Sequence, residues 1–166
     1  MNSIATDKRA LRNAYGQFAT GICVVTTLDP QGQPTGLTVN SFNSVSLEPA
    51  LVLWSLRKES WSAQAFEAAD GFAINVLAEG QREVSDRFAK PLPDKFHSVG
   101  FALGKHNMPL IHGAIAQFEC LKHRQLDGGD HWIFLGEVLH FSHAQGDPLI
   151  FHGGRYATAQ PAATPA

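Results

Sequence analysis

The longest strand-like runs of the chain, Ala114–Gln125 and His131–His143, lie on either side of Asp127-Gly128-Gly129. Asp-Gly and Gly-Gly pairs form tight hairpin turns, so these runs are expected to pair as antiparallel neighbours. Shorter β-branched or apolar runs, each bounded by glycine, proline or aspartate, continue this pattern. They lie at Ile22–Thr27, Thr35–Val39, Leu51–Leu56, Phe72–Leu77 and Leu149–His152.

Three segments have the apolar spacing of helices. Asp7–Phe18 carries one apolar face, and Gly21 is expected to end that helix. Ser60 is expected to act as the N-cap of a second helix, which stops at Gly71, and Glu79–Phe88 forms a short third helix. Many antiparallel strands with three helices predict an α+β or mainly-β barrel.

The 166 residues correspond to one domain, on a prior of roughly 150 residues per domain. We expect residues 1–157 to form it and the alanine- and proline-rich tail, residues 158–166, to be disordered or loosely attached. Prolines and glycines interrupt the segment between Lys90 and Asn107, so no firm element is expected there. A loop of that length is either functional or mobile.

Composition excludes several classes of partner. The net charge of −2 gives no basis for binding nucleic acid or an anionic membrane. No apolar run approaches ~18 residues and no N-terminal signal pattern is present, so we expect no membrane partner and a cytoplasmic location. Cys23 and Cys120 lie inside apolar runs and are expected to be buried thiols without a disulfide. None of the eight histidines has zinc-ligand spacing such as HExxH, so no metal is expected.

Between Pro34 and Ser60, two apolar runs flank a polar segment. Its residues, Asn40–Ser46, are rich in hydroxyls and amides. Such a segment can form only turn and loop hydrogen bonds, or it can offer convergent donors and acceptors to a flat polar ligand. Composition alone leaves both interpretations open.

Several groups of residues provide a more specific indication by their order along the chain. They are Phe18-Ala19-Thr20-Gly21, Val24-Val25-Thr26-Thr27, Gly36-Leu37-Thr38-Val39-Asn40-Ser41-Phe42, Phe72–Leu77, Arg87-Phe88-Ala89, Gly129-Asp130-His131 and Gly154-Arg155-Tyr156. In these residues, from Phe18 to Tyr156, the chain resembles the short-chain flavin reductases, the small components of two-component flavin monooxygenases. The resemblance implies a mainly-β antiparallel split β-barrel with flanking helices. It also implies FMN or FAD as the flavin, NADH or NADPH as co-substrate, a homodimer and a partner oxygenase.

The segment from Ser55 to Ser60 leaves a predicted strand and enters a predicted helix. A helix start offers free N–H groups, and Arg57 and Lys58 add positive charge. An ordinary solvated turn with a capping serine has the same composition. The resemblance places this segment at the ribityl phosphate of the flavin and favours Ser60 as its ligand, whereas Arg57 and Lys58 can point either way.

The resemblance also implies a cradle for the flavin ring. Thr38–Ser41 lie on one side and Trp54-Ser55 on the other. A flavin needs apolar contact on its ring faces and hydrogen bonds along its pyrimidine edge. Asn75 either orients the loop or is a structural residue of its strand. The residues expected to bind the cofactor are Thr38, Val39, Asn40, Ser41, Trp54, Ser55, Leu56, Lys58, Ser60, Asn75, Phe88, Arg155 and Tyr156.

Gly129-Asp130-His131 and Gly154-Arg155-Tyr156 have two interpretations each. The first is either a plain turn or, as the resemblance implies, the place where nicotinamide docks, with His131 as the candidate catalytic residue. Tyr156 either stacks on a ligand, with Arg155 at a phosphate, or anchors the chain end in the core.

These features predict an NAD(P)H:flavin oxidoreductase. The alternative is a flavin-binding module or electron carrier without reductase activity, which would not need the histidine and arginine motifs. An oxidase of the pyridoxamine-phosphate type would carry a concentration of basic residues that the 13 Lys+Arg do not show. Trp54, Trp132 and Gly153-Gly154 depart from the family pattern, which leaves open the choice of flavin and the recognition of nicotinamide.

Overall fold

The computed structural model describes residues 7–162, which form twelve strands and three α-helices. A 3₁₀ turn, Glu79–Gln81, precedes the third helix. The helices are α1 (Lys8–Tyr15), α2 (Ala63–Ala68) and α3 (Arg82–Phe88). The strands are β1 (Thr20–Gly21), β2 (Cys23–Leu28), β3 (Pro34–Val39), β4 (Asn43–Leu47), β5 (Ala50–Arg57), β6 (Gly71–Val76), β7 (Phe101–Leu103), β8 (Pro109–Ile111), β9 (Ala116–Asp127), β10 (His131–His143), β11 (Leu149–His152) and β12 (Arg155–Thr158).

The main sheet has seven strands in the order β3-β2-β6-β9-β10-β5-β4, and every neighbouring pair in it is antiparallel. A three-stranded sheet, β1-β11-β12, and the hairpin β7-β8 complete the strands of the described residues. The expected hairpin joins β9 to β10, where the Gly128 N–H donates to the His131 carbonyl at 2.9 Å and Gly129 has φ +84°. The chain is therefore mainly β and antiparallel, as its turn pattern predicts.

Strand β2 is buried on both of its faces. Val24 and Val25 are each 0% exposed, although successive side chains of a strand point to opposite sides. Val25 belongs to a core that includes Trp54 and Phe72, whereas Val24 belongs to a second core that includes Phe88. The main sheet is therefore covered on both sides at β2, which explains its continuous apolar run.

The first core is built around an aromatic cluster. The ring of Trp54 lies 5.0 Å from Phe66, 5.5 Å from Phe72 and 4.9 Å from Phe134, measured between centroids. Offset and edge-on aromatic pairs at these distances add to the free energy gained by burial. The cluster fixes β5, β6 and β10 against α2.

A serine joins β3, at one edge of the main sheet, to β5, which lies next to the other edge. Ser41, just after β3, places its Oγ against the backbone of Ser55 in β5. This Oγ accepts from the Ser55 N–H at 2.9 Å and donates to the Ser55 carbonyl at 3.2 Å. This one side chain thus connects the end of β3 to β5.

Two helix boundaries differ from the sequence prediction. Helix α1 ends at Tyr15, with Gly16 as C-cap, and Gly21 lies in β1. Helix α2 begins at Ala63 after Ser62, so the expected N-cap at Ser60 is wrong. The Ser60 Oγ instead accepts from the Ser62 N–H at 3.4 Å, within the turn that precedes the helix.

Three strands depart from the expected pattern. Part of the polar segment 40–46 pairs as β4, and β7 lies within the segment that was left without an element. The unexpected strand β12 pairs Thr158 with Leu149, so the ordered chain continues past the expected start of the tail. Residues 163–166 of that tail and residues 1–6 of the predicted domain lie outside the described residues.

Candidate functional site

A cleft of about 500 Å³ opens beside β3 and contains most of the polar residues that the sequence singled out. One wall is β3 with the residues that follow it, and the facing wall is the end of β5. The carboxyl end of α3 and the segment after it close a third side. The lining residues are Leu37, Thr38, Val39, Asn40, Ser41, Ser55, Arg57, Glu59, Ser60, Trp61, Phe88, Ala89, Lys90, Pro91, Lys95 and His131.

The β3 wall is an edge of the main sheet, since among the described strands β3 pairs only with β2. One side of its backbone is therefore left without a strand partner and can bond a ligand. The Thr38 hydroxyl donates to the Ser85 carbonyl of α3 at 2.6 Å, and the Ser41 hydroxyl is held by Ser55. Both hydroxyls thus position the wall, and the backbone supplies its open hydrogen-bonding groups.

The β5 wall follows the alternation of the strand. Ser55 and Arg57 line the cleft, whereas Trp54 and Leu56 are 0% exposed in the first core. Neighbouring residues of a strand cannot face the same side, so the Trp54 and Leu56 side chains do not reach the cleft. Any contact of these two residues with a cofactor in the cleft would therefore have to be made by their backbone.

Lys58 also points away from the cleft. Its Nζ lies 2.6 Å from the Asp127 Oδ2 and 4.4 Å from the centroid of the Trp132 ring. This contact holds the pKa of Asp127 below its usual range, chiefly through the hydrogen bond from Lys58. Lys58 therefore links β5 to the β9–β10 hairpin, and of the two neighbouring cations Arg57 and Lys58 it is Arg57 that lines the cleft.

The segment after α3 supplies the third side. Arg87 donates from Nε to the Lys95 carbonyl at 2.7 Å and from Nη2 to the Asp94 carbonyl at 2.8 Å. The buried ring of Phe96 packs edge-on against Phe88 at 4.9 Å. The segment is thus anchored at both its backbone and its side chains.

Sequence reasoning missed this side of the cleft, in particular Lys90, Pro91 and Lys95. A signal was present, because two lysines flank two closely spaced prolines in a chain with few charges. This signal was too weak to place the segment at a ligand site, because the burial of Phe96, which anchors the segment, could not be inferred from it.

His131 lies where the hairpin meets the cleft. Its Nδ1 is 2.6 Å from the Asp130 Oδ1, and its side chain is 37% exposed. The hydrogen bond and the charge of the imidazole hold the pKa of Asp130 below its usual range. With Nδ1 engaged, Nε2 is the ring nitrogen left for a ligand.

Asn75 does not line the cleft. It is fully buried, and its amide accepts from Ile111 N and Gln117 Nε2, each at 2.9 Å. The same amide donates to the Val24 carbonyl at 3.1 Å and to the Thr26 Oγ1 at 3.2 Å. All of these partners are groups within the fold, which favours the interpretation of Asn75 as a structural residue of its strand.

Tyr156 lines a second cavity of about 210 Å³, which shares Thr38–Asn40 with the cleft. Its hydroxyl donates to the Asp86 Oδ1 at 2.5 Å and lies 2.9 Å from the Ser85 Oγ. Burial and the bond to Asp86 raise its pKa. Arg155 is exposed and lines neither cavity.

The described residues show neither a metal site nor a membrane-spanning helix. Between residues 7 and 162, no three His, Cys, Asp or Glu side chains are placed to hold a metal ion. No helix in that range is both long and apolar enough to cross a membrane.

Comparison with known proteins identifies the family of this chain. Residues 15–160 match the model of the flavin reductase like domain. An FMN reductase (NADH) of Agrobacterium fabrum is 46% identical over 150 residues, covering 90% of this chain and 85% of that protein. The reductase component of the flavin-dependent trigonelline monooxygenase of Acinetobacter baylyi is 44% identical over 156 residues, covering 94% and 50%.

Among solved structures, the NADH:FAD oxidoreductase of Streptomyces globisporus in complex with NAD and FAD fragments has a TM-score of 0.90 and 41% identity. The match covers 95% of this chain and 96% of that chain. The chain spans about half the length of two of the curated relatives that it matches. The extent of the family match shows that the chain belongs to the flavin reductase like domain family.

Proposed function

We propose that the protein is an NAD(P)H-dependent flavin reductase that supplies reduced FMN or FAD to a partner monooxygenase. The observation that carries the proposal is the cleft itself. An edge strand, β3, faces Ser55 and Arg57 across it, and His131 stands at its margin. Relatives named as an FMN reductase (NADH) and as a monooxygenase reductase component support the activity and the partner.

The residues present fit a flavin. A cleft of about 500 Å³ lies within the range of ~300–1,000 Å³ that is typical of cofactor sites. Leu37, Val39 and Pro91 offer apolar contact to a flat ring. The unpaired side of β3 offers backbone groups to its pyrimidine edge, and Arg57 and Ser60 suit a phosphate.

Each wall has a distinct task in this proposal. The bound flavin supplies the chemistry, since its ring takes a hydride from reduced nicotinamide. That step needs two stacked rings and no acid or base from the protein. The wall Thr38–Ser41 holds the ring edge, and Phe88 supports the ring from the core side. His131 offers Nε2 to the nicotinamide nucleotide while Asp130 fixes the imidazole.

The overall organisation is part of the same proposal. The bridge from Ser41 to Ser55 supports a split β-barrel in which β3 and β5 meet. A homodimer is supported by large apolar side chains left exposed in the single chain, among them Tyr15 at 68%, Phe18 at 79%, Leu47 at 97% and Phe141 at 62%. A cytoplasmic location accords with the free thiols of Cys23 and Cys120 and with a supply of NAD(P)H.

The test is turnover by the purified chain with each nicotinamide and each flavin. Loss of NADH or NADPH absorbance that depends on added FMN, FAD or riboflavin is the expected result. Tight flavin binding without nicotinamide oxidation would favour the electron-carrier alternative. Absence of both would refute the proposal.

A further inference from the structure

Lys95 places a fixed, partly buried ammonium group at the wall of the cleft. Its Nζ donates to the Gly36 carbonyl of β3 and to the Phe88 carbonyl at the end of α3, each at 3.0 Å. The fork of Arg87 on the Lys95 carbonyl and the burial of Phe96 hold the backbone on either side. The position of the ammonium is therefore set by three elements.

This ammonium has no anionic partner within the part of the chain that the structure describes. The ion pairs between residues 7 and 162 involve other cations, so no carboxylate lies within 4.0 Å of Lys95 Nζ. The neighbouring Asp94 carboxylate accepts from the His97 N–H at 2.9 Å instead. Burial lowers the pKa of Lys95, because removal from water disfavours its charged form.

An ammonium carries three donors, and two of those on Lys95 are engaged by carbonyls. Removing a charge even partly from water costs free energy, which an opposite charge offsets. The remaining donor is on a residue that lines the cleft. An anion bound in the cleft would satisfy both the charge and the donor.

Building on the proposed function, we propose that the Lys95 ammonium pairs with an anionic group of the flavin nucleotide bound in the cleft. Two groups of that ligand have the required chemistry. One is the phosphate, and the other is the pyrimidine edge of the ring, which becomes negative on reduction. Lys95 thereby stabilises the bound ligand through a charge-assisted hydrogen bond.

The experiment compares Lys95→Met with Lys122→Met. The control has the same local chemistry, since Lys122 Nζ donates to the Phe66 carbonyl at 3.2 Å and to the Glu67 carbonyl at 2.7 Å. Its pKa is also lowered, chiefly by burial, but it lies outside the cleft. Lys95→Gln, which keeps an N–H donor without the charge, serves if the methionine variant does not fold.

Affinities for FMN and for riboflavin are measured by fluorescence titration, and the midpoint potential of the bound flavin by redox titration. If phosphate is the anion, Lys95→Met weakens FMN by about ten- to hundredfold, the effect of one charge-assisted bond, and leaves riboflavin unchanged. If the reduced ring is the anion, the oxidised affinities change little. The midpoint potential of the bound flavin then falls by about 30 mV for each tenfold loss in the protein's preference for reduced over oxidised flavin.

Lys122→Met is expected to lower the melting temperature. Both affinities should stay within about twofold of wild type, and the midpoint potential should not change. If Lys95→Met behaves as Lys122→Met does, the ammonium only ties β3 to α3 and the inference is overturned. Failure here is distinguishable from failure of the proposed function, because wild-type turnover would persist in the first case and be absent in the second.

Discussion

Replacing Asn75 by valine removes a buried amide while approximately conserving its volume. Ile111 N–H is the partner most affected, since it is 2.9 Å from the Asn75 Oδ1 and its residue is 1% exposed. His112 N–H donates to the Gly100 carbonyl across β7–β8, so by the antiparallel alternation Ile111 N–H points away from β7. Without Asn75 this donor has no replacement.

The other hydrogen-bond partners of Asn75 each keep a second hydrogen bond or a neighbouring strand. Thr26 Oγ1 also donates to the Pro109 carbonyl at 2.5 Å, and Gln117 Nε2 also donates to the Ile111 carbonyl at 2.8 Å. An orphaned buried N–H costs about 1–3 kcal/mol, and each of the remaining bonds contributes about 0.5–1 kcal/mol. The expected loss is roughly 2.5–6 kcal/mol, a large share of the ~5–15 kcal/mol that stabilises a typical domain.

The loss is measured by urea unfolding, and the flavin affinity is measured on the folded fraction. Thr27→Val is the matched control, because Thr27 is also buried and its Oγ1 donates only to the Gly71 carbonyl, at 2.8 Å. It is expected to cost about 1 kcal/mol. If Asn75→Val were as stable as wild type but bound flavin weakly, the structural assignment of Asn75 would be refuted and a role in the site would take its place.

Three further predictions concern the cleft and the thiols. His131→Ala is expected to raise KM for NAD(P)H several-fold with a nearly unchanged melting temperature, because its partner Asp130 is exposed; a fall in stability with normal kinetics would show that it only closes the turn. Ser60→Ala is expected to weaken FMN more than riboflavin in a fluorescence titration, and equal effects would remove Ser60 from the phosphate. Burial raises the pKa of the Cys23 and Cys120 thiols to about 12, so a thiol reagent is expected to label them only as the protein unfolds; rapid labelling of the native protein at neutral pH would contradict their burial.

The sheet was largely predictable because its signals are local. The turn at Asp127–Gly129 and the runs on either side fix the β9–β10 pairing, and the bounds expected for His131–His143 are those of β10. Alternation along β5 was equally local, and applying it would have separated Ser55 and Arg57 from Trp54 and Leu56.

The rest of the site depends on long-range contacts that no local pattern encodes. Lys95 reaches the cleft because Arg87 holds its backbone and Phe96 enters a distant core. Lys58 is drawn away by Asp127, which is far from it in sequence. The direction of a lysine side chain at the surface depends on partners that are distant in sequence. The sequence alone therefore could not predict it.

The most direct test of the account is a crystal structure of the protein with FMN or FAD bound. The account predicts the flavin ring along the residues from Thr38 to Ser41, its phosphate near Arg57 and Ser60, and its open ring face toward His131. A flavin bound away from this cleft, with these residues untouched, would contradict the assignment of the site.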